Sequence, residues 1–200
     1  MKYLIKIILL LVAFHIAAPL RAQQKLYIKN LKNYQKTYVL KHEVVIKKDK
    51  KYFRFFPVTV SYAVTANFTK LTDTVGFIMK TSGIKNKKYY RYGTLDFILQ
   101  DTTLQLTLYQ GEVLLKDSTF KKYLFLPFTD ATSGEQSYGG GRYIDLDIDE
   151  IKNNKVAIDF NKAYNPYCAY AIGYNCPIPP RENNLPVAIM AGEKDFGKSH

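Results

Sequence analysis

An all-β fold, mainly an antiparallel sandwich or barrel with one short N-terminal helix, is what this chain predicts, and three observations carry the prediction. After Lys51, segments rich in Val, Ile, Thr, Tyr and Phe follow one another at short intervals, each with the alternation of a half-buried strand. Turn-forming runs separate them at Leu71-Thr72-Asp73, Thr81-Ser82-Gly83, Gln100-Asp101-Thr102 and Gln110-Gly111-Glu112. These leave no room for crossover helices, so successive strands should pair antiparallel. The chain has 17 Tyr and 12 Phe but no Trp, which suits a sheet packed through aromatic cross-strand pairs.

The N-terminus reads as a secretory signal, residues 1–22. Lys2 and Lys6 give a basic start, Leu4 to Ala18 is almost continuously apolar, and Leu20-Arg21-Ala22 ends in a small residue. A permanent anchor needs roughly 20 apolar residues, more than this core supplies, so cleavage near Ala22 and a periplasmic or secreted location are expected. Residues 23–200 then form one β-rich domain, long enough for a substantial core. From Gln24 to about Tyr38, Leu26, Ile28, Leu31, Tyr34 and Tyr38 recur at intervals of two to four, the pattern of a short amphipathic helix.

Strands are expected at Tyr52 to Phe56, Val58 to Val64, Val75 to Met79, Tyr89 to Leu99, Leu104 to Tyr109, Tyr123 to Leu126, Tyr143 to Ile148 and Val156 to Phe160. Pro57 marks an edge or bend between the first two.

The formal charge is +12. Losing Lys2, Lys6 and Arg21 with the signal leaves +9, concentrated between Lys25 and Lys51 and at Lys85, Lys87 and Lys88. Scattered lysines make a solvated face, and their summed field gives weak attraction to an anionic envelope surface. No nucleic-acid motif accompanies them. Cys168 and Cys176 are the only cysteines. In an oxidising compartment they are a disulfide candidate, with a pair of reduced, buried thiols as the alternative.

Familiar catalytic patterns fail one by one. Gly139-Gly140-Gly141-Arg142 lacks the Lys-Ser/Thr of a phosphate loop and precedes a strand, so its glycines serve positive φ or close backbone approach. No nucleophile elbow surrounds Ser133 or Ser137. Of three histidines, His15 lies in the signal and His200 is terminal, which leaves His42 and no basis for a zinc site. Asp145-Leu146-Asp147-Ile148-Asp149-Glu150 opens like a calcium loop, but Glu150 replaces the needed glycine and Val156 the closing glutamate. A strand with Ile144, Leu146 and Ile148 inward fits it better. No metal and no cofactor is expected.

What survives is a set of polar residues in apolar or glycine-rich context within residues 124–194. The ligand-binding candidates are Asp130, Tyr138, Arg142, Asp159, Asn161, Asn165 and Glu182, with Tyr164, Asn183 and Glu193 beside them. Asp130 and Asp159 adjoin apolar runs where an unpaired charge is costly, and Arg142 is the natural partner of either. One reading makes these groups turn caps and a buried ion pair; another lines a cleft with them.

This block resembles a bacterial family known as domain of unknown function 1684. The resemblance rests on Phe128-Thr129-Asp130-Ala131-Thr132-Ser133-Gly134, Tyr138-Gly139-Gly140-Gly141-Arg142, and Asp159-Phe160-Asn161-Lys162-Ala163-Tyr164-Asn165-Pro166 with Cys168. Cys176-Pro177-Ile178-Pro179-Pro180 with Glu182-Asn183, and Ala191-Gly192-Glu193, complete it. Tyr167 stands where many relatives have a second proline. The resemblance implies an often exported protein and no established activity.

Three functions fit these residues. A binding module for a small molecule or glycan uses the polar block as its cleft. A glycan hydrolase needs two carboxyl groups about 5 to 9 Å apart. A structural envelope protein uses the block to staple its fold.

Overall fold

The computed structural model describes residues 2–198, with side chains from Arg21 onward. Apart from Arg21 and Ala22, the side chains of the expected signal segment lie outside them. Among the described residues no helix is long and apolar enough to cross a membrane.

Mostly antiparallel β-structure follows one long helix, α1 (Lys2–Lys41). That helix is longer than the short one expected from Gln24. Its docking face is Tyr27, Leu31, Tyr34 and Tyr38, a 3.6-residue stripe, while Leu26 of the sequence pattern points to solvent. The Nζ of Lys50 donates to the Leu40 carbonyl and caps the helix end.

Seven strands form one sheet: β1 (Ala63–Lys70), β2 (Phe77–Met79), β3 (Lys87–Leu99), β4 (Thr102–Gly111), β5 (Tyr123–Phe128), β6 (Arg142–Asp147) and β7 (Lys155–Asp159). The order is β6-β5-β4-β3-β1-β7, with β2 on β3, and every pairing between them is antiparallel. This sheet is a half-barrel, neither two packed layers nor a closed cylinder.

Six of the expected strands lie where the alternation put them; the first does not form, and the second meets only the start of β1, whose remainder from Thr65 to Lys70 was not expected. Residues Lys47–Tyr52 and Val60–Tyr62 are 3-10 turns, and Phe55 makes one isolated bridge, to Glu193, outside the seven strands. The aromatic run from Tyr52 to Phe56 packs as side chains instead, Phe53 against Tyr170 and Phe196. Burial satisfied its hydrophobicity without a ladder, which local propensity cannot foresee.

Alternation along β5 and β6 gives the sheet two working faces. Leu124, Leu126, Phe128, Ile144 and Leu146 enter the main core with Leu95, Leu106 and Ile158. Phe125 and Tyr143 enter a second, aromatic cluster with Met79, Tyr89 and Tyr109. The 160–191 segment returns across the first face and covers it with Phe160, Leu185, Ile189 and Ala191.

Candidate functional site

The motif block builds two different polar centres, one on each face of β6. The first is sealed. Arg142 opens β6 and is 0% exposed. Its Nη2 donates to Asp130 Oδ2 at 2.5 Å and to the Ile189 carbonyl at 3.0 Å, and its Nη1 donates to the carbonyls of Ala191 and Glu193. The other oxygen of Asp130 accepts from the backbone N–H of Thr132 at 2.7 Å and from its hydroxyl at 2.6 Å. Phe56 and Phe128 pack their rings against the guanidinium. Burial pulls the pKa of Arg142 down, and Asp130 pulls it back up.

Glycines make this approach feasible. Gly141 sits at φ +85°, and a Cβ there would lie 2.7 Å from the Phe128 carbonyl oxygen. Gly192, at φ +75°, would meet the Ala163 carbonyl oxygen at 2.6 Å. Any side chain at either point would push the strands away from Arg142.

Asn183 repairs the sheet. Strands β4 and β5 share the single register pair Tyr109 with Phe125, and Pro127 has no N–H to continue a ladder. The buried amide of Asn183 accepts from Thr107 N at 2.8 Å and donates to the carbonyls of Thr107 at 2.9 Å and Pro127 at 2.6 Å. One side chain thus replaces a stretch of backbone pairing.

The remaining expected residues hold elements together. Asp159 accepts from Tyr27 at 3.0 Å and from the Asn161 N–H at 3.1 Å. Asn161 bonds both the N–H and the carbonyl of Thr59. Arg142 therefore pairs with Asp130 and not with Asp159, whose partner comes from α1. The side-chain N–H of Asn165 donates to the Lys194 carbonyl. Tyr138 is half-buried against the aromatic cluster of Val45, Ala169, Tyr170 and Phe196. Glu182 is exposed and accepts from Arg91 and Tyr109. Burial alone would raise its carboxyl, but hydrogen bonds from its own backbone, Tyr109 and Arg91 bring it below the usual value.

Glu193 is 0% exposed. It accepts from Tyr170 at 2.7 Å, from Asn165 N at 3.0 Å and from Tyr38 of α1 at 3.4 Å. Burial pushes its pKa up to about 8 against those hydrogen bonds and the pull of Arg142.

The second centre is open. A cleft of about 840 Å³ lies between the last turns of α1, the cleft-facing side of β6, the turn at residues 85–87 and the loop at residues 173–177. Six tyrosines wall it: Tyr34, Tyr38, Tyr143, Tyr164, Tyr167 and Tyr174. Lys41, Lys85 and Lys87 contribute positive charge, and Glu43 and Asp145 contribute carboxylates. None of the seven ligand-binding candidates read from the sequence lines it. Tyr164 and Cys176 do.

Asp145 is its polar focus. Oδ1 accepts from Tyr123 at 2.6 Å and from Tyr164 at 2.8 Å, which leaves Oδ2 free as an acceptor. Protein crowds the carboxyl on the strand side and burial raises its pKa, while the two phenols oppose the rise. The residue keeps solvent contact. His42 is 8% exposed, its Nδ1 accepts from Val45 N, and its Nε2 has no partner. Burial and then Lys50 lower its pKa to about 4, so it is neutral at physiological pH.

Cys168 and Cys176 are bonded to each other, with Cα atoms 6.2 Å apart. The bridge shapes the 173–177 wall, and the Cys176 N–H donates to Ser82 Oγ across to the neighbouring turn. Among the described residues no group of three or more His, Cys, Asp or Glu side chains is placed to hold a metal.

Sequence reasoning missed Asp145 as a site residue because it treated the aspartates of β6 as solvated. The signal was in the same alternation. If Ile144 and Leu146 face the core, Asp145 shares a face with Tyr143, opposite Phe125 in register, and that face is too aromatic to be a plain solvent surface.

The sequence model of the family described as "Protein of unknown function (DUF1684)" matches residues 48–194. The chain is similar to an uncharacterized protein of Haloarcula marismortui solved by solution NMR. The two share 27% identity at a TM-score of 0.60, over 91% of this chain and 95% of that one. No curated protein matches the chain.

Proposed function

We propose that this chain, which belongs to the DUF1684 family of proteins of unknown function, is an exported binding module for a small molecule or glycan held in the tyrosine-walled cleft. The observation that carries the reading is Asp145. Its carboxyl is fixed by two phenols while its second oxygen opens into an aromatic cleft of about 840 Å³. Ligand sites combine apolar walls with few, fixed polar groups. Tyrosine faces take sugar or aromatic rings, and a fixed carboxylate accepts from hydroxyls.

The polar block keeps a place in this reading, divided between two tasks. Its Tyr164 and Cys176 contribute to the cleft, whereas Arg142, Asp130, Asn183 and Glu193 hold the scaffold behind it. The scaffold half supports the staple reading for those residues alone. The basic, apolar N-terminal segment and the Cys168–Cys176 bond both support an oxidising, exported destination.

Saturation-transfer NMR with a panel of neutral and acidic monosaccharides and aromatic acids tests the proposal. Transfer to at least one member, lost in Asp145→Asn and weakened in Tyr164→Phe, is the expected result. A panel without transfer, or transfer unchanged in Asp145→Asn, overturns it.

A further inference from the structure

We infer that the two adjoining loops at the mouth of the cleft, residues 78–87 and 171–178, form a docking lip for an anionic lipid surface. The loops are tied together by backbone bonds. Ser82 N donates to Cys176 O and Ile178 N to Lys80 O, both at 2.9 Å, and Lys85 N donates to Asn175 Oδ1 at 2.9 Å. The disulfide closes the second loop on itself. The lip is therefore a braced unit.

Its surface is unusual in what it exposes. Ile84 is 97% exposed and Ile172 is 87% exposed, with Ile78, Ile178 and Tyr174 also open to solvent. Exposed apolar side chains scattered singly are ordinary, but a group on bonded neighbouring loops marks an interaction surface. Lys80, Lys85 and Lys87 are exposed beside them, and neither loop contains an Asp or Glu. Lys88 is excluded from this set because it pairs with Glu112.

Apolar side chains at the tips with lysines around them match the boundary of an anionic bilayer, where headgroups meet acyl chains. The charge also argues against a second copy of this chain as the occupant. A twofold contact would set three lysines against three lysines with no acid to answer them. Lys85, Lys87 and Tyr174 line the cleft as well, so docking would turn the cleft mouth toward the lipid. The inference is independent of what the cleft holds.

Hydrogen–deuterium exchange of the full chain with vesicles gives a local readout, and variants confined to the two loops separate it from vesicle binding through the lysines of α1 or the N-terminal apolar segment. Phosphatidylglycerol mixed with phosphatidylcholine should slow exchange in residues 78–88 and 171–178, and phosphatidylcholine alone should not. Ile84→Ser with Ile172→Ser, both at exposed positions, should weaken that protection at least about tenfold in lipid concentration. Lys85→Glu with Lys87→Glu should weaken it too, and added salt should do the same for wild type. Four results each overturn the inference: no protection on the anionic vesicles, equal protection on both kinds, protection unchanged in the double serine variant, or sedimentation showing a dimer whose loops are already protected from exchange without vesicles.

Discussion

Arg142 and Asp145 stand three residues apart on β6, and the pleat sends them to opposite faces of the sheet. Arg142 enters the main core, where one aspartate and three backbone carbonyls meet its charge. Asp145 enters the aromatic face, meets two phenols and keeps one oxygen free in an open cleft. A charge whose two Nη groups are held by a carboxylate and backbone carbonyls, in a core that leaves even its Nε buried without a partner, holds structure together. One that is half answered has capacity left for a ligand. Sequence context alone makes Arg142 look like the functional residue, and partner counting reverses the ranking.

The contrast is best broken at its sealed end. Arg142→Ala leaves Asp130 buried without a counter-charge and should cost about 3 to 5 kcal/mol of stability, read by chemical denaturation; a loss under about 1 kcal/mol would mean the centre is not a staple. Next in size, Cys168→Ser opens a loop of about nine residues, and the chain-entropy estimate gives a loss of about 2.5 kcal/mol, measured the same way.

Glu193 tests the sealed centre through pH. Its folded-state pKa of about 8 lies above the ordinary 4.5, so folding favours the neutral acid. That contribution is complete below about pH 4.5 and is lost as pH rises through about 8. Glu193→Gln imitates the neutral acid. It should match wild type within about 1 kcal/mol below about pH 4.5 and exceed it increasingly in denaturation midpoint as pH rises from there toward about 8. Equal pH slopes in the two proteins would refute the assignment. Smallest of all, Asp145→Asn should change stability by less than about 0.5 kcal/mol, because the residue keeps solvent contact, while abolishing ligand signals. A large loss of stability would move Asp145 to the structural side.

Much of the architecture was legible in the residue pattern. Six strands and an N-terminal helix follow from alternation and 3.6-residue spacing, both local properties of the chain. The pairing of Arg142 with a carboxylate followed from the cost of burying a charge, although the choice between Asp130 and Asp159 did not. Asp159 went to Tyr27, 132 residues away, a partner no local signal names. Tyr52 to Phe56 misled for the opposite reason. Its aromatic content was real, but side-chain packing against Tyr170 and Phe196 consumed it without a strand.

Six of the seven antiparallel strands, the close cysteine pair and the presence of a polar block that needed internal partners could be read along the chain. Each rests on periodicity, on spacing or on the cost of an unpaired charge, and all three can be evaluated along the chain. Tertiary contacts alone set Asn183 to mend the gap at Pro127, buried Glu193 between α1 and the block, and opened the cleft on the Asp145 face. Those outcomes depend on which distant surfaces meet, and the free energy of meeting is shared among residues that are neighbours only in space.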